Sequence, residues 1–143
     1  MQISSRFTIA SHILVLLALE GKSEKMTSQT IAGSVGVNPV IVRNILAQLK
    51  HAGLVSVARG VGGAVLAKEA QDVTLLDIYQ AVDSLGQSEQ LFSFHEQPNP
   101  ACRVGKNIHP LLDGELERAQ VALEQELAQT RLSDLLEKMD SLQ

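Results

Sequence analysis

The 143-residue chain has no tryptophan, one tyrosine, three phenylalanines and a single cysteine. With aromatics at 3%, no core can be keyed on large rings, and Leu, Ile, Val and Ala must fill it. One cysteine excludes a disulfide framework within the chain and fits a reducing compartment. No internal repeat or low-complexity tract is present, and 45% hydrophobic with 20% charged residues places the chain among globular proteins. The longest apolar run, Phe7 to Leu19, is too short for a bilayer and is broken by Thr8, Ser11 and His12. Ile9, Ile13, Leu16 and Leu17 recur in it at helical spacing, so it reads as a helix on a core rather than a signal peptide. His12 on that helix is expected to be a satisfied core or interface histidine. The expectation is a cytoplasmic protein with no membrane partner.

Residues 27 to 66 carry the most specific pattern. Ser28 to Val35 is a short amphipathic helix, and Gly36 sits where a sharp interhelical turn wants a residue free to take φ > 0. Asn38-Pro39 supplies a cap and a proline at the first helical position. The helix that follows has Val42, Ile45, Leu46 and Leu49 on one face and Arg43, Asn44, Gln48 and Lys50 on the others. Ile31 and Val35 should face Val42 and Ile45, with small Ala32 allowing close approach. Together they form a helix–turn–helix, whose second helix normally enters the major groove.

Two short β-prone runs follow, Leu54 to Val57 and Ala64 to Leu66, joined by Ala58-Arg-Gly-Val-Gly-Gly63. A helix–turn–helix continued by a hairpin is a winged helix. Arg59 falls at the wing tip, and Gly60, Gly62 and Gly63 let the backbone lie close to a phosphate strand or in a minor groove. The glycines are no nucleotide-binding loop, because the lysine–serine/threonine ending is missing and a strand follows instead of a helix.

The net charge of −4 is unevenly divided. Residues 1–68 hold seven basic and two acidic side chains, net +5; residues 69–143 hold five basic and fourteen acidic ones, net −9. The basic half coincides with the winged helix and attracts a polyanion, while the acidic half is held away from it.

In the C-terminal half, Thr74 starts a helix through Val82, with Asp77 placed for a capping box. Residues 84 to 101 read as loop. A long helix is expected from about Val104 to Thr130, interrupted early by Pro110 and Gly114. Ile108, Leu112, Leu116, Ala119, Leu123 and Leu127 approximate a heptad seam, which favours pairing with a second copy. Ser133-Asp-Leu-Leu-Glu137 begins a last short helix, placed to pack on the partner's N-terminal domain.

Cys102 lies between a proline-containing loop and the long helix. Neighbouring Arg103, Lys106 and the helix N-terminus all favour its reactive thiolate. It is a candidate sensor of an oxidant or small electrophile; the alternative is a small buried apolar residue. His95, Cys102 and His109 are seven residues apart, which matches no compact ligand pattern, so no metal site is expected. An enzyme using Cys102 as nucleophile finds no oxyanion or cofactor element to support it.

With the winged helix, the N-terminal Met-Gln-Ile-Ser-Ser-Arg-Phe, Arg59-Gly-Val-Gly-Gly63, Thr74-Leu-Leu-Asp-Ile78 and Arg131-Leu-Ser-Asp-Leu135 in view, the chain resembles the Rrf2 family nearly end to end. These are bacterial winged-helix transcription regulators of the IscR, NsrR and CymR kind. The resemblance implies phosphate contacts from Ser4, Ser5 and Arg6. It places Asn38, Val40, Arg43 and Asn44 at the major groove, and Arg59, with the backbone of Gly60 and Gly62, at the minor groove. Ser28, opening the first helix of the pair, joins this DNA-contacting set. Residue chemistry agrees: Arg bridges two acceptors on guanine, Asn pairs with adenine, and Ser hydroxyls suit phosphate oxygens. Iron–sulfur members of the family resemble one another in carrying three cysteines before the dimer helix. With one cysteine, a cluster held by four protein thiolates per chain is impossible, so the chain resembles a cluster-free branch with no cofactor.

The resulting expectation is a mainly α protein with a small β-hairpin wing. Residues 1–83 form the winged helix–turn–helix, 84–103 a loop with the sensor cysteine, and 104–143 the dimerisation helix and a short C-terminal helix. It would act as a homodimeric regulator, a repressor of a pseudo-palindromic double-stranded DNA site. The competing expectation is a winged helix that binds protein instead of DNA.

Overall fold

A computed structural model describes residues 3–57, 63–86 and 90–142. Helix α1 (Ser5–Glu20) is capped by Ser4, whose hydroxyl accepts from the Arg6 amide at 3.1 Å. Its buried face, Ala10, Ile13, Leu14 and Leu17, forms the spine of the N-terminal core. Helices α2 (Ser28–Val35) and α3 (Pro39–His51) pack on it, and Gly36 between them takes φ 81°. That left-handed turn bends the two helix axes by 108°, within the range of helix–turn–helix pairs. Ile31 and Ala32 of α2 and Val42, Ile45, Leu46 and Leu49 of α3 are buried together with the α1 spine. Each Val, Leu or Ile side chain among them contributes about 1.5–3 kcal/mol on burial.

Strands β1 (Val55–Val57) and β2 (Ala64–Leu66) pair antiparallel, with Val55 opposite Leu66 and Val57 opposite Ala64. Leu54, Val55 and Ala64 are buried while Val57 and Val65 face outward. The wing base is stitched to the loop before α2, because Ala64 N–H donates to the Met26 carbonyl at 2.9 Å. Gly63 lies so close that a Cβ there would stand 2.5 Å from the Met26 nitrogen. This glycine therefore serves an approach inside the chain.

A single 3₁₀ turn (Ala70–Asp72) leads to α4 (Leu75–Ala81), where Thr74 and Asp77 form the expected reciprocal capping box. Helix α5 (Arg103–Gln129) runs unbroken through Pro110 and Gly114, contrary to the interruption read from the sequence. Pro110 removes one donor, which leaves the Lys106 carbonyl without its helical partner, and the helix absorbs that cost. No residue of α5 is buried.

Helix α6 (Leu132–Leu142) departs from the expected packing. It folds back on its own N-terminal unit: Leu132 is fully buried in the core with α1, and Leu135 packs against it. Two backbone bonds fix the return, Leu132 N–H to the Val73 carbonyl at 2.8 Å and Leu75 N–H to the Thr130 carbonyl at 2.9 Å. Among the described residues, no single helix is long and apolar enough to cross a membrane.

Candidate nucleic-acid interface

Burial divides α3 cleanly. Its inner face is in the core, while Val40, Ile41, Arg43, Asn44 and Lys50 are exposed. Asn38 caps the helix through its side-chain oxygen, which accepts from the Val40 amide at 2.8 Å. That bond occupies the acceptor end of Asn38, so its NH₂ end is what remains to offer a phosphate or base. Asn44 and Arg43 sit one and two residues before the buried Ile45, on the outward arc. Ile41 belongs to the same arc, 41% exposed, and was not singled out from the sequence. The signal was available: with Val42 and Ile45 inward, the helical period carries 41 outward with 44 and 48.

Ser28 is the first residue of α2, but the cap is Thr27, whose hydroxyl accepts from the Thr30 amide at 3.2 Å. Ser28 therefore presents a first-turn amide beside α3. At the start of α1, Ser5 is exposed, whereas Ser4 is spent on capping and donates its amide to the Ser84 carbonyl at 2.8 Å. Arg6 has a structural task that the sequence did not disclose. Its Nε donates to the Val82 carbonyl at 3.0 Å and its Nη2 to the Asp83 carbonyl at 2.8 Å. Any phosphate contact by Arg6 must use its other N–H groups. Arg59, Gly60 and Gly62 lie outside the described residues. His12 is exposed rather than in the core, with Nε2 3.0 Å from the Ser34 hydroxyl.

Cys102 is exposed, which removes the buried-apolar alternative within this chain. It is the N-cap residue of α5. The backbone N–H groups of Gly105 and then Val104 lower its thiol pKa. The first-turn amides of the helix, rather than the charges of Arg103 and Lys106, are the cause. The loop behind it is a tight Asn99 turn: Ala101 N–H donates to the Asn99 side chain at 2.9 Å and Cys102 N–H to the Asn99 carbonyl at 3.1 Å. His95 and His109 do not join Cys102 in a ligand set. No group of three or more His, Cys, Asp or Glu side chains placed for a metal is found among the described residues. Phe94 instead stacks on His109, with ring centroids 4.2 Å apart.

A two-helix reader bent at a left-handed glycine, followed by a two-stranded wing, defines a winged helix–turn–helix protein. Residues 3–138 match the Rrf2 model, described as an iron-dependent transcriptional regulator. The chain belongs to the Rrf2 family of transcriptional regulators. It is 44% identical over 134 residues to YwnA of Bacillus subtilis (strain 168), covering 94% of this chain and 96% of that protein, whose name assigns it to the HTH-type transcriptional regulators. A crystal structure described as that of a DNA-binding protein shares 40% identity and a TM-score of 0.73, covering 92% of this chain and 99% of that one. IscR of T. potens has the same fold, with a TM-score of 0.74 at 21% identity over all of this chain and 91% of its own. These relatives are regulators, not enzymes. The iron in the family description finds a poor donor set here, since a single exposed thiol does not fit a cysteine-ligated cluster.

Proposed function

We propose that the protein is a cytoplasmic, homodimeric, sequence-specific DNA-binding repressor that works without an iron–sulfur cluster. The observation that carries this reading is the outward arc of α3, where Val40, Ile41, Arg43 and Asn44 are exposed while the opposite face is locked into the core. Arg43 and Asn44 offer hydrogen bonds to base edges; Val40 and Ile41 offer apolar contact to thymine methyls. Ser5, Ser28 and the remaining N–H groups of Arg6 would add phosphate contacts. The +5 charge of residues 1–68 supplies the steering field.

Pairing is supported by α5. It is 27 residues long without a buried residue, and Val104 and Leu111, each 62% exposed, leave apolar surface for a second copy to cover. Two copies would present two α3 helices to half-sites about one helical turn apart or a multiple of it. Cys102 supports a switch: an exposed thiol with a lowered pKa at the N-cap of the pairing helix. Attack by its thiolate on an oxidant or electrophile would alter that cap and hence the spacing of the readers.

The test is selection of bound DNA from a random pool with reduced and with oxidised protein. A palindrome enriched only by the reduced form is expected. Arg43→Ala should then cost about 1–3 kcal/mol on the selected site and relax one position in each half. Binding that enriches no sequence, with unchanged retention from low to high salt, would overturn the reading.

A further inference from the structure

Outside the DNA-facing surface, a groove of about 590 Å³ lies between the segment from Gln90 to Phe94 and one face of α5. Its size falls within the usual range for small-molecule sites, about 300–1,000 Å³. The loop wall is anchored at both ends: Leu91 N–H donates to Gln120 Oε1 at 3.1 Å, and Phe94 stacks on His109. His109 is in turn 3.3 Å from Asp113.

The lining combines two features. Phe92 and Phe94 supply aromatic surface, with Phe92 39% exposed. Asp113, Glu117 and Glu124 supply three carboxylates along one helix face, and among the described residues no lysine or arginine lines the groove. Asp113 and Glu117 stand one turn apart, an arrangement of like charges that costs a helix a few tenths of a kcal/mol and that a cation between them would relieve. Glu124 also acts on Tyr79, a buried residue outside the lining whose pKa is raised by burial and then by that charge. Ring faces and carboxylates share one preference. Both attract positive charge attached to an apolar body.

We propose that this groove binds a small organic cation, a hydrophobic amine or quaternary ammonium, seated between Phe92, Phe94 and the carboxylates of Asp113, Glu117 and Glu124. Anions are repelled by the three carboxylates, and a neutral apolar molecule leaves Glu117 and Glu124, which have no ion-pair partner among the described residues, without a counter-charge. The site uses none of the residues assigned to the nucleic acid, and it shares only Leu116 with the expected α5 seam.

The experiment is titration calorimetry on the full chain without DNA, with benzyltrimethylammonium and its uncharged carbon isostere neopentylbenzene as probes. The cation should bind roughly tenfold more tightly than the isostere. Glu117→Gln and Phe94→Leu, both on solvent-accessible positions and checked for folding by circular dichroism, should each weaken the cation severalfold. Val65→Ala on the distant wing should not. Equal binding of the two probes, or unchanged cation binding in both folded groove variants, overturns the proposal, as does no binding of the cation at millimolar concentration. DNA affinity enters none of these readouts, so failure here and failure of the DNA reading are separate results.

Discussion

The guanidinium of Arg6 holds the carbonyl of Asp83 at 2.8 Å, and Asp83 is the one non-glycine among the described residues with a positive φ, 49°. The bond joins the start of α1 to the end of α4, where the chain leaves the winged helix for the Cys102 segment. Gln48 of α3 reaches the same residue through the Asp83 carboxylate at 3.5 Å. Three elements of the reader therefore converge on one turn.

Removing that clamp should lower stability. Arg6→Ala loses two charge-assisted bonds to carbonyls and is expected to cost about 1.5 kcal/mol, read as a lower urea midpoint. Arg6→Lys should restore little, because one ammonium lacks the fork that spans both carbonyls. Asp83→Gly keeps the accepting carbonyl and relieves a left-handed conformation worth about 1 kcal/mol, so its midpoint should hold or rise. An Arg6→Ala midpoint equal to wild type would show the clamp to be idle. DNA affinity measured with Arg6→Ala will also mix lost phosphate contact with a loosened α1–α4 junction.

Leu132 tests where the C-terminal helix belongs. As a fully buried core residue, its replacement by Ala should destabilise the fold by about 2–5 kcal/mol. Because the packing is within one chain, the loss should be the same at about 1 µM as at about 100 µM protein. A penalty that shrinks on dilution would place α6 on a partner instead.

Cys102 should alkylate with a pH midpoint below that of an ordinary thiol, because the amides of Gly105 and Val104 stabilise its thiolate. Gly105 is also where the Asn99 turn touches α5, and an added Cβ would stand 2.5 Å from the Asn99 carbonyl oxygen. Gly105→Ala must shift that turn and should move the iodoacetamide midpoint upward. The linkage sign follows from a lowered folded pKa: the thiolate's contribution to stability is present above the unfolded thiol's pKa and lost as pH falls through the folded one. An unchanged midpoint in Gly105→Ala would assign the thiolate's stabilisation to something other than these amides.

Much of the reader was legible in advance because its determinants are local. Gly36 at a left-handed turn, Asn38 and Pro39 at a helix start, and the Thr74–Asp77 box each satisfy backbone groups within a few residues. The alternation of inward Val42, Ile45, Leu46 and Leu49 with outward Arg43 and Asn44 follows from the helical period alone. The roles of Arg6, Gly63 and Gly105 were not legible. Each depends on a contact with a distant or separately placed segment (Val82 and Asp83, Met26, Asn99), and no period or cap records such a meeting.

The amino-acid order on its own determined the element types, the glycine-hinged helix pair, the face of α3 that points outward and the uneven distribution of charge. Those are properties of short stretches, set by backbone sterics and by the spacing of apolar side chains. Only the tertiary structure decided that α6 returns to its own core, that α5 continues through Pro110, that Cys102 is exposed at a helix cap and that Phe94 meets His109 beside three carboxylates. Such outcomes are settled by which surfaces bury each other across long loops, where the competing arrangements differ in packing and not in local preference.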